Sequence, residues 1–87
     1  MPFAWAALAP LVVHPMKVAI VEAMCWIDEP LSSNLLCNLF GGRYRVQNIA
    51  YHMNTLDKIG IVVRVQERAA RGATEKLYRI HSSFLEE

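Results

Sequence analysis

The chain has 87 residues, 54% hydrophobic and 20% charged, a composition that suits one small domain and excludes an intrinsically disordered chain. Its net charge of +1 at pH 7 is unevenly distributed, because residues 1–42 carry one basic and three acidic residues whereas residues 43–79 carry eight and three. A basic second half is typical of a small nucleic-acid-binding domain, although a solvated basic face is the alternative.

Residues 1–13 form an apolar segment without a basic residue, so they lack the positively charged start of a secretory signal peptide. Two prolines interrupt the segment, which is too short to span a bilayer as a helix. It has more large apolar side chains than a small domain leaves in water. We expect these side chains to form a homodimer interface: Phe3, Trp5, Leu8, Leu11 and Val12. The alternative is that the segment packs on the first helix of its own chain, near Trp26.

Two helices are predicted before the middle of the chain. Residues 16–27 contain neither glycine nor proline and follow His14-Pro15, where a proline suits the first helical turn. A second, short helix begins at one of three N-cap candidates at residues 32–34. It ends at the glycine pair of residues 41–42, which favours a left-handed turn.

Residues 45–58 form the third predicted helix, the segment that we expect to carry the function. At about 100° per residue, Val46, Ile49, Met53 and Leu56 share one apolar face. The opposite, polar face carries Tyr44, Gln47, Asn48, Tyr51, Asn54, Thr55 and Lys58. Groups of this kind hydrogen-bond base edges and phosphates. A short helix, a glycine turn and an amphipathic helix together predict a helix-turn-helix, with an ordinary surface helix as the alternative.

Two strands are predicted after Gly60, at residues 61–66 and 74–80, because both stretches are rich in β-branched or alternating apolar residues. Residues 67–73 between them are predicted to form a hairpin loop with Arg68 and Arg71 at or near its tip. The predicted fold class is α+β, mainly α: a winged helix over residues 14–80. Its three helices are followed by a two-stranded hairpin, the wing, and then by a short tail at residues 81–87.

Four sequence motifs stand out between residues 14 and 80. Residues 14–21 read HPMKVAIV, residues 48–56 read NIAYHMNTL, residues 59–62 read IGIV and residues 71–79 read RGATEKLYR. In this order they resemble four motifs of ArsR-like winged-helix transcriptional regulators: HP-x-R-x-x-I-L, N-V-S-Y-H-L-x-x-L, x-G-L-V and R-G-A-x-E-x-x-Y-R. The second of these is the family's recognition helix, and the fourth is the wing return of a subset of its members.

The resemblance implies a dimeric, sequence-specific DNA-binding regulator of bacterial type. It also implies which side chains approach the major groove: Gln47, Asn48, Tyr51 and His52. The chain departs from the family at Ala50, where the pattern has serine, and the cysteine motif of the metal-sensing members is absent. By its helical angle His52 borders the apolar face, so a packed or capping histidine is the alternative to a DNA contact.

The residue types that carry chemistry predict no metal site, no cofactor and no enzyme activity. Cys25 and Cys37 lack a Cys-x-x-Cys spacing, and the three histidines are scattered. The simplest interpretation is two reduced thiols in a cytoplasmic protein, with a disulfide between them as the alternative. The sequence shows no nucleophile–base pair with a supporting motif and no phosphate-binding glycine loop.

We therefore predict a transcriptional regulator that binds double-stranded DNA as a homodimer, with no membrane partner. Residues 45–58 would lie in the major groove and the 67–73 hairpin on the flanking backbone. The residues predicted to contact DNA are Arg43, Tyr44, Arg45, Gln47, Asn48, Tyr51, His52, Thr55, Lys58, Arg68 and Arg71. The alternative function is a winged-helix protein-interaction module without DNA binding, which the apolar N-terminus favours.

Overall fold

A computed structural model describes residues 14–70 and 72–84 of the chain. Within these ranges three α-helices come first: α1 (Pro15–Trp26), α2 (Ser33–Leu39) and α3 (Val46–Lys58). They are followed by strands β1 (Val62–Ala70) and β2 (Ala73–Ile80) and by a 3₁₀ turn (Ser82–Phe84). The predicted α+β class, with three helices before an antiparallel hairpin, is confirmed, and the arrangement is compatible with a winged helix.

The first two helices begin where a side chain caps them. Pro15 occupies the start of α1, and Nδ1 of His14 accepts a hydrogen bond from the N–H of Met16 at 3.1 Å. Ser32 precedes α2, and its hydroxyl oxygen accepts a hydrogen bond from the N–H of Leu35 at 3.1 Å. Each cap satisfies a backbone donor that has no partner inside its helix, which fixes the helix start.

Two glycines form the turn between α2 and α3. Gly41 and Gly42 have positive φ angles of 64° and 76°, which residues with a Cβ adopt only at a cost. The N–H of Gly42 donates to the carbonyl of Cys37 at 3.1 Å, so a terminal carbonyl of α2 is satisfied inside the turn. The turn reverses the chain and brings α3 back against α2, as the helix-turn-helix pattern predicts.

One hydrophobic core joins the three helices to the hairpin. Its buried side chains are Met16, Ile20, Val21, Met24, Cys25, Leu31, Leu36, Ile49, Met53, Leu56, Ile61, Val62, Tyr78 and Ile80. Fully burying one large apolar side chain stabilises the fold by about 1.5–3 kcal/mol. Every helix and both strands therefore contribute to the same core, which fixes the position of α3 relative to the hairpin.

The hairpin is longer than the sequence predicts. Strand pairing continues until Ala70 lies opposite Ala73, so the prediction of a loop at residues 67–73 is wrong. Near its end Arg68 lies directly opposite Glu75. Opposite charges across an antiparallel pair stabilise it, and this contact joins a residue of the predicted loop to a residue of the second predicted strand.

Backbone hydrogen bonds attach the hairpin to the helices. Leu31, just before α2, forms a β-bridge with Tyr78 of β2, in which each residue donates its N–H to the other's carbonyl at 2.9 Å. A bulge between Arg64 and Gln66 shifts the register of β1, and bulges of this kind bend a strand. The hairpin is thus anchored at the end nearer the core and bent beyond that end.

Candidate nucleic-acid interface

Helix α3 has one buried face and one exposed face. Ile49 and Leu56 are 0% exposed and Met53 is 2% exposed. The opposite face carries the exposed side chains of Gln47, Asn48, Tyr51, Asn54 and Lys58. Tyr51 is 68% exposed, so its phenol ring stands in solvent among amide groups. The predicted division of this helix into an apolar and a polar face is confirmed.

Three of the predicted contact residues, Tyr44, His52 and Thr55, are only half-exposed. The ring of Tyr44 packs edge-on against Phe40, with ring centroids 5.4 Å apart and planes at 90°. The hydroxyl of Thr55 donates to the carbonyl of Tyr51 one turn earlier, at 3.1 Å. The side chains of Tyr44 and Thr55 are thus engaged with their own chain, and the exposed amides and phenol remain the principal groups on this face.

His52 lies where α3 meets the start of α1, at the edge of the exposed face. Its ring centroid is 4.3 Å from that of His14, and its Nδ1 atom is buried with no hydrogen-bond partner among the described residues. Burial first, and then the charges of His14 and Lys17, lower the pKa of His52 below its ordinary value of 6.5. The neutral ring therefore predominates at pH 7, and the contacts favour a packed histidine over a DNA contact.

Basic side chains stand at both ends of the exposed face. Arg43 and Arg45 are exposed just before α3, and Lys58 is exposed at its last residue. Lys76 is exposed on β2. Within the described part of the chain, none of these four residues forms an ion pair. Their charges are therefore available to an external anion.

Three arginines of the hairpin, unlike these four residues, form ion pairs with carboxylates. The nitrogen–oxygen distances are 3.1 Å for Arg64–Glu67, 2.5 Å for Arg68–Glu75 and 3.3 Å for Arg79–Asp28. Arg68 lies near the hairpin tip, as predicted, but it belongs to β1, two residues before the last residue of that strand, and not to a loop. Arg71, the second predicted contact in the hairpin, lies outside the described residues.

A cleft of about 280 Å³ lies between α3 and the hairpin. Residues at the start of α2, on α3 and on β2 form its walls. Its polar lining includes Ser32, Ser33, Asn34, Asn54, Thr74, Glu75 and Lys76. Asn54 belongs both to this lining and to the exposed face of α3, so the cleft adjoins that face.

The sequence-based prediction of contact residues did not include Lys76. Its neighbours on β2 give no single inward face, because Leu77 and Tyr78 are both 4% exposed although adjacent residues of a strand point to opposite faces. The position of Lys76 on the cleft wall is therefore evident only in the folded structure.

Exposed apolar side chains lie outside this polar face. Trp26 is 79% exposed at the end of α1, and Leu39 is 50% exposed at the end of α2. A groove of about 370 Å³ beside Trp26 is also lined by Phe40 and Tyr44. All the side chains predicted to form a dimer interface, at residues 1–13, lie outside the described part of the chain.

Comparisons of the sequence with known proteins found no relative. No protein-family model matches the chain, and no curated protein matches it in sequence. Within residues 14–70 and 72–84, no cluster of three or more His, Cys, Asp and Glu side chains could hold a metal ion. None of the helices in these ranges is long and apolar enough to cross a membrane.

Proposed function

We propose that this protein is a winged-helix transcriptional regulator that binds double-stranded DNA sequence-specifically, as a homodimer. Helix α3 lies in the major groove, and the hairpin lies along the flanking backbone. The main support for the proposal is the exposed face of α3, which presents Gln47, Asn48 and Tyr51 to solvent. The opposite face of the same helix is packed in the hydrophobic core.

The amides of Gln47 and Asn48 have the chemistry that base recognition requires. An amide side chain donates to one atom of an adenine edge and accepts from another in the major groove, which is about 12 Å wide and admits a helix. Both amides are exposed in the first turn of α3, whose 13 residues extend over about 20 Å. The first turn of such a helix is where base contacts occur in helix-turn-helix proteins.

Phosphate contacts come from the cations that no carboxylate of the described chain neutralises. Arg43 and Arg45 lie at the start of α3, Lys58 lies at its end, and Lys76 lies across the cleft. Contacts from basic side chains to phosphates orient a protein on the duplex without reading its sequence. These four residues therefore position the helix, while the amides of its first turn select bases.

The homodimer is supported by apolar surface. The described part of the chain leaves Trp26 79% exposed at the end of α1, and residues 1–13 carry the apolar side chains named above. A two-fold dimer presents two copies of α3 to successive major grooves, about 34–36 Å apart. Two copies double the number of base and phosphate contacts, which a domain of this size needs for tight binding.

A second candidate function is a protein-interaction module that does not bind DNA. The groove lined by Trp26, which is 79% exposed, and by Phe40 and Tyr44 favours it, because contiguous apolar surface is typical of protein interfaces. The two functions differ in their response to salt. DNA binding releases condensed ions and weakens steeply as salt rises, whereas an apolar interface does not.

Fluorescence anisotropy with labelled genomic fragments tests the proposal. A dimer with four available cations per subunit makes on the order of eight phosphate contacts and should lose roughly 10³- to 10⁵-fold in affinity between 50 and 200 mM salt. Some fragments should also bind more tightly than a random-sequence duplex at both salt concentrations. Absence of binding to every fragment would favour the protein-interaction module instead.

A further inference from the structure

Glu75 is a carboxylate on the surface that we propose to face DNA. It lines the cleft between α3 and the hairpin, and its side chain is only 9% exposed. Its Oε1 atom lies 2.5 Å from Nε of Arg68, and its Oε2 atom accepts the hydroxyl hydrogen of Ser32 at 2.5 Å. A negative group at this position repels phosphate, so the presence of a carboxylate on a DNA-binding surface needs an explanation.

The contacts around Glu75 hold it in place from two sides. Ser32 is 2% exposed and also caps α2 through the N–H of Leu35, so its hydroxyl has little freedom to turn. Strand pairing places Arg68 directly opposite on β1. The hydrogen bond from Ser32 first, and that from Arg68 second, lower the pKa of Glu75 below its ordinary value of 4.5. The carboxylate is thus charged at neutral pH.

A charged carboxylate here changes what Arg68 presents to solvent. The Arg68 side chain is 50% exposed and would otherwise resemble the available cations Arg43, Arg45 and Lys76. Paired with Glu75, it presents a neutral group to a phosphate, and the carboxylate itself repels that phosphate. Neither effect depends on the base sequence, so both weaken binding to every duplex and leave base contacts unchanged.

We propose that Glu75 withholds Arg68 from DNA phosphates and thereby lowers the sequence-independent part of DNA binding. The proposal rests on the DNA-binding function proposed above. Because this part is common to all duplexes, it cancels from the ratio of specific to non-specific affinity. Glu75 therefore sets how tightly the protein binds DNA of any sequence and how steeply that binding depends on salt.

The experiment compares Glu75→Gln with the full-length wild-type protein on a random-sequence duplex over a series of salt concentrations. Glutamine retains an oxygen that accepts the Ser32 hydroxyl hydrogen but loses the charge that binds Arg68. The slope of log affinity against log salt should steepen by about 0.9 per subunit, and the additional loss between 50 and 200 mM salt should be about 3.5-fold per subunit. The affinity ratio between the best genomic fragment and random DNA should stay at its wild-type value, because the released guanidinium contacts phosphates in both complexes.

Two further variants separate this effect from a general change of charge. Arg68→Ala in the Glu75→Gln background should restore the wild-type slope, because the released guanidinium is then gone. Glu22→Gln removes the same charge from the exposed side of α1, where Glu22 forms no ion pair with a described residue, and should leave the slope unchanged.

The proposal is overturned if Glu75→Gln binds random DNA more weakly than wild type, or with the same dependence of log affinity on log salt. It is also overturned if Arg68→Ala alone makes this salt dependence less steep by about 0.9 per subunit, because Arg68 would then already bind a phosphate in the wild-type protein. This second variant truncates a half-exposed side chain, so it remains informative if Glu75→Gln fails to fold. A wild-type protein that binds no DNA contradicts the proposed function itself, which is a different result.

Discussion

Replacing Ser32 with alanine should destabilise the fold far more than its small side chain suggests. The Ser32 hydroxyl caps α2 and also donates to the Glu75 carboxylate at 2.5 Å, and at 2% exposure water does not replace it. Loss of an N-cap costs about 1 kcal/mol, and loss of a hydrogen bond to a charged group costs about 1.5–3 kcal/mol. The sum, about 2.5–4 kcal/mol, is a large part of the stability of a small domain.

Urea and thermal unfolding followed by circular dichroism measure this loss. For a domain of this size each kcal/mol lowers the melting temperature by roughly 4–8 °C, so Ser32→Ala should melt at least about 10 °C below wild type. The matched control is Ser33→Ala, because Ser33 is the next residue, is half-buried and makes no side-chain hydrogen bond within the described chain. If both variants lose equal stability, the bond between Ser32 and the hairpin does not exist in solution.

Three further predictions concern pH, metal ions and assembly. Because the pKa of His52 is lowered from 6.5 by burial and by the charges of His14 and Lys17, the neutral ring stabilises the fold above pH 6.5, and this contribution is lost as the pH falls through the lower, folded-state pKa. The melting temperature should therefore decrease in mild acid, and less so in His52→Gln; equal decreases would refute the argument. Zinc or a chelator should change neither the melting temperature nor DNA affinity, and a stoichiometric zinc isotherm would contradict this. Deleting residues 1–12 should give a folded monomer with weaker DNA binding, and sedimentation equilibrium that shows a monomeric full-length protein would exclude the proposed dimer.

The helices could be predicted because their signals are local. Pro15 and Ser32 mark two helix starts. The glycines at 41–42 mark the turn between α2 and α3, because glycine adopts the positive φ angles of that turn without strain. The two faces of α3 follow from a helical period that the packed structure preserves. Each of these signals lies within a few residues of the feature that it specifies.

The parts that could not be predicted depend on residues far apart in the chain. Ser32 and Glu75 are 43 positions apart, and no local pattern indicates that a helix cap also binds a strand. The contact between the rings of His14 and His52 depends on how α1 packs on α3. The length of the hairpin depends on pairing of residues 67–70, which resemble a loop when read alone, with residues 73–76 of the other strand.

Whether the first turn of α3 reads bases is measured by the ratio of specific to non-specific DNA affinity in the variants Gln47→Ala and Asn48→Ala. Competition anisotropy compares the best genomic fragment with random DNA, and Asn38→Ala, an exposed asparagine on α2, serves as the control. Loss of a bidentate base contact should reduce the ratio by about 1–3 kcal/mol, or roughly 5- to 150-fold. The control should retain the wild-type ratio. If both α3 variants also retain it, α3 does not read the DNA sequence.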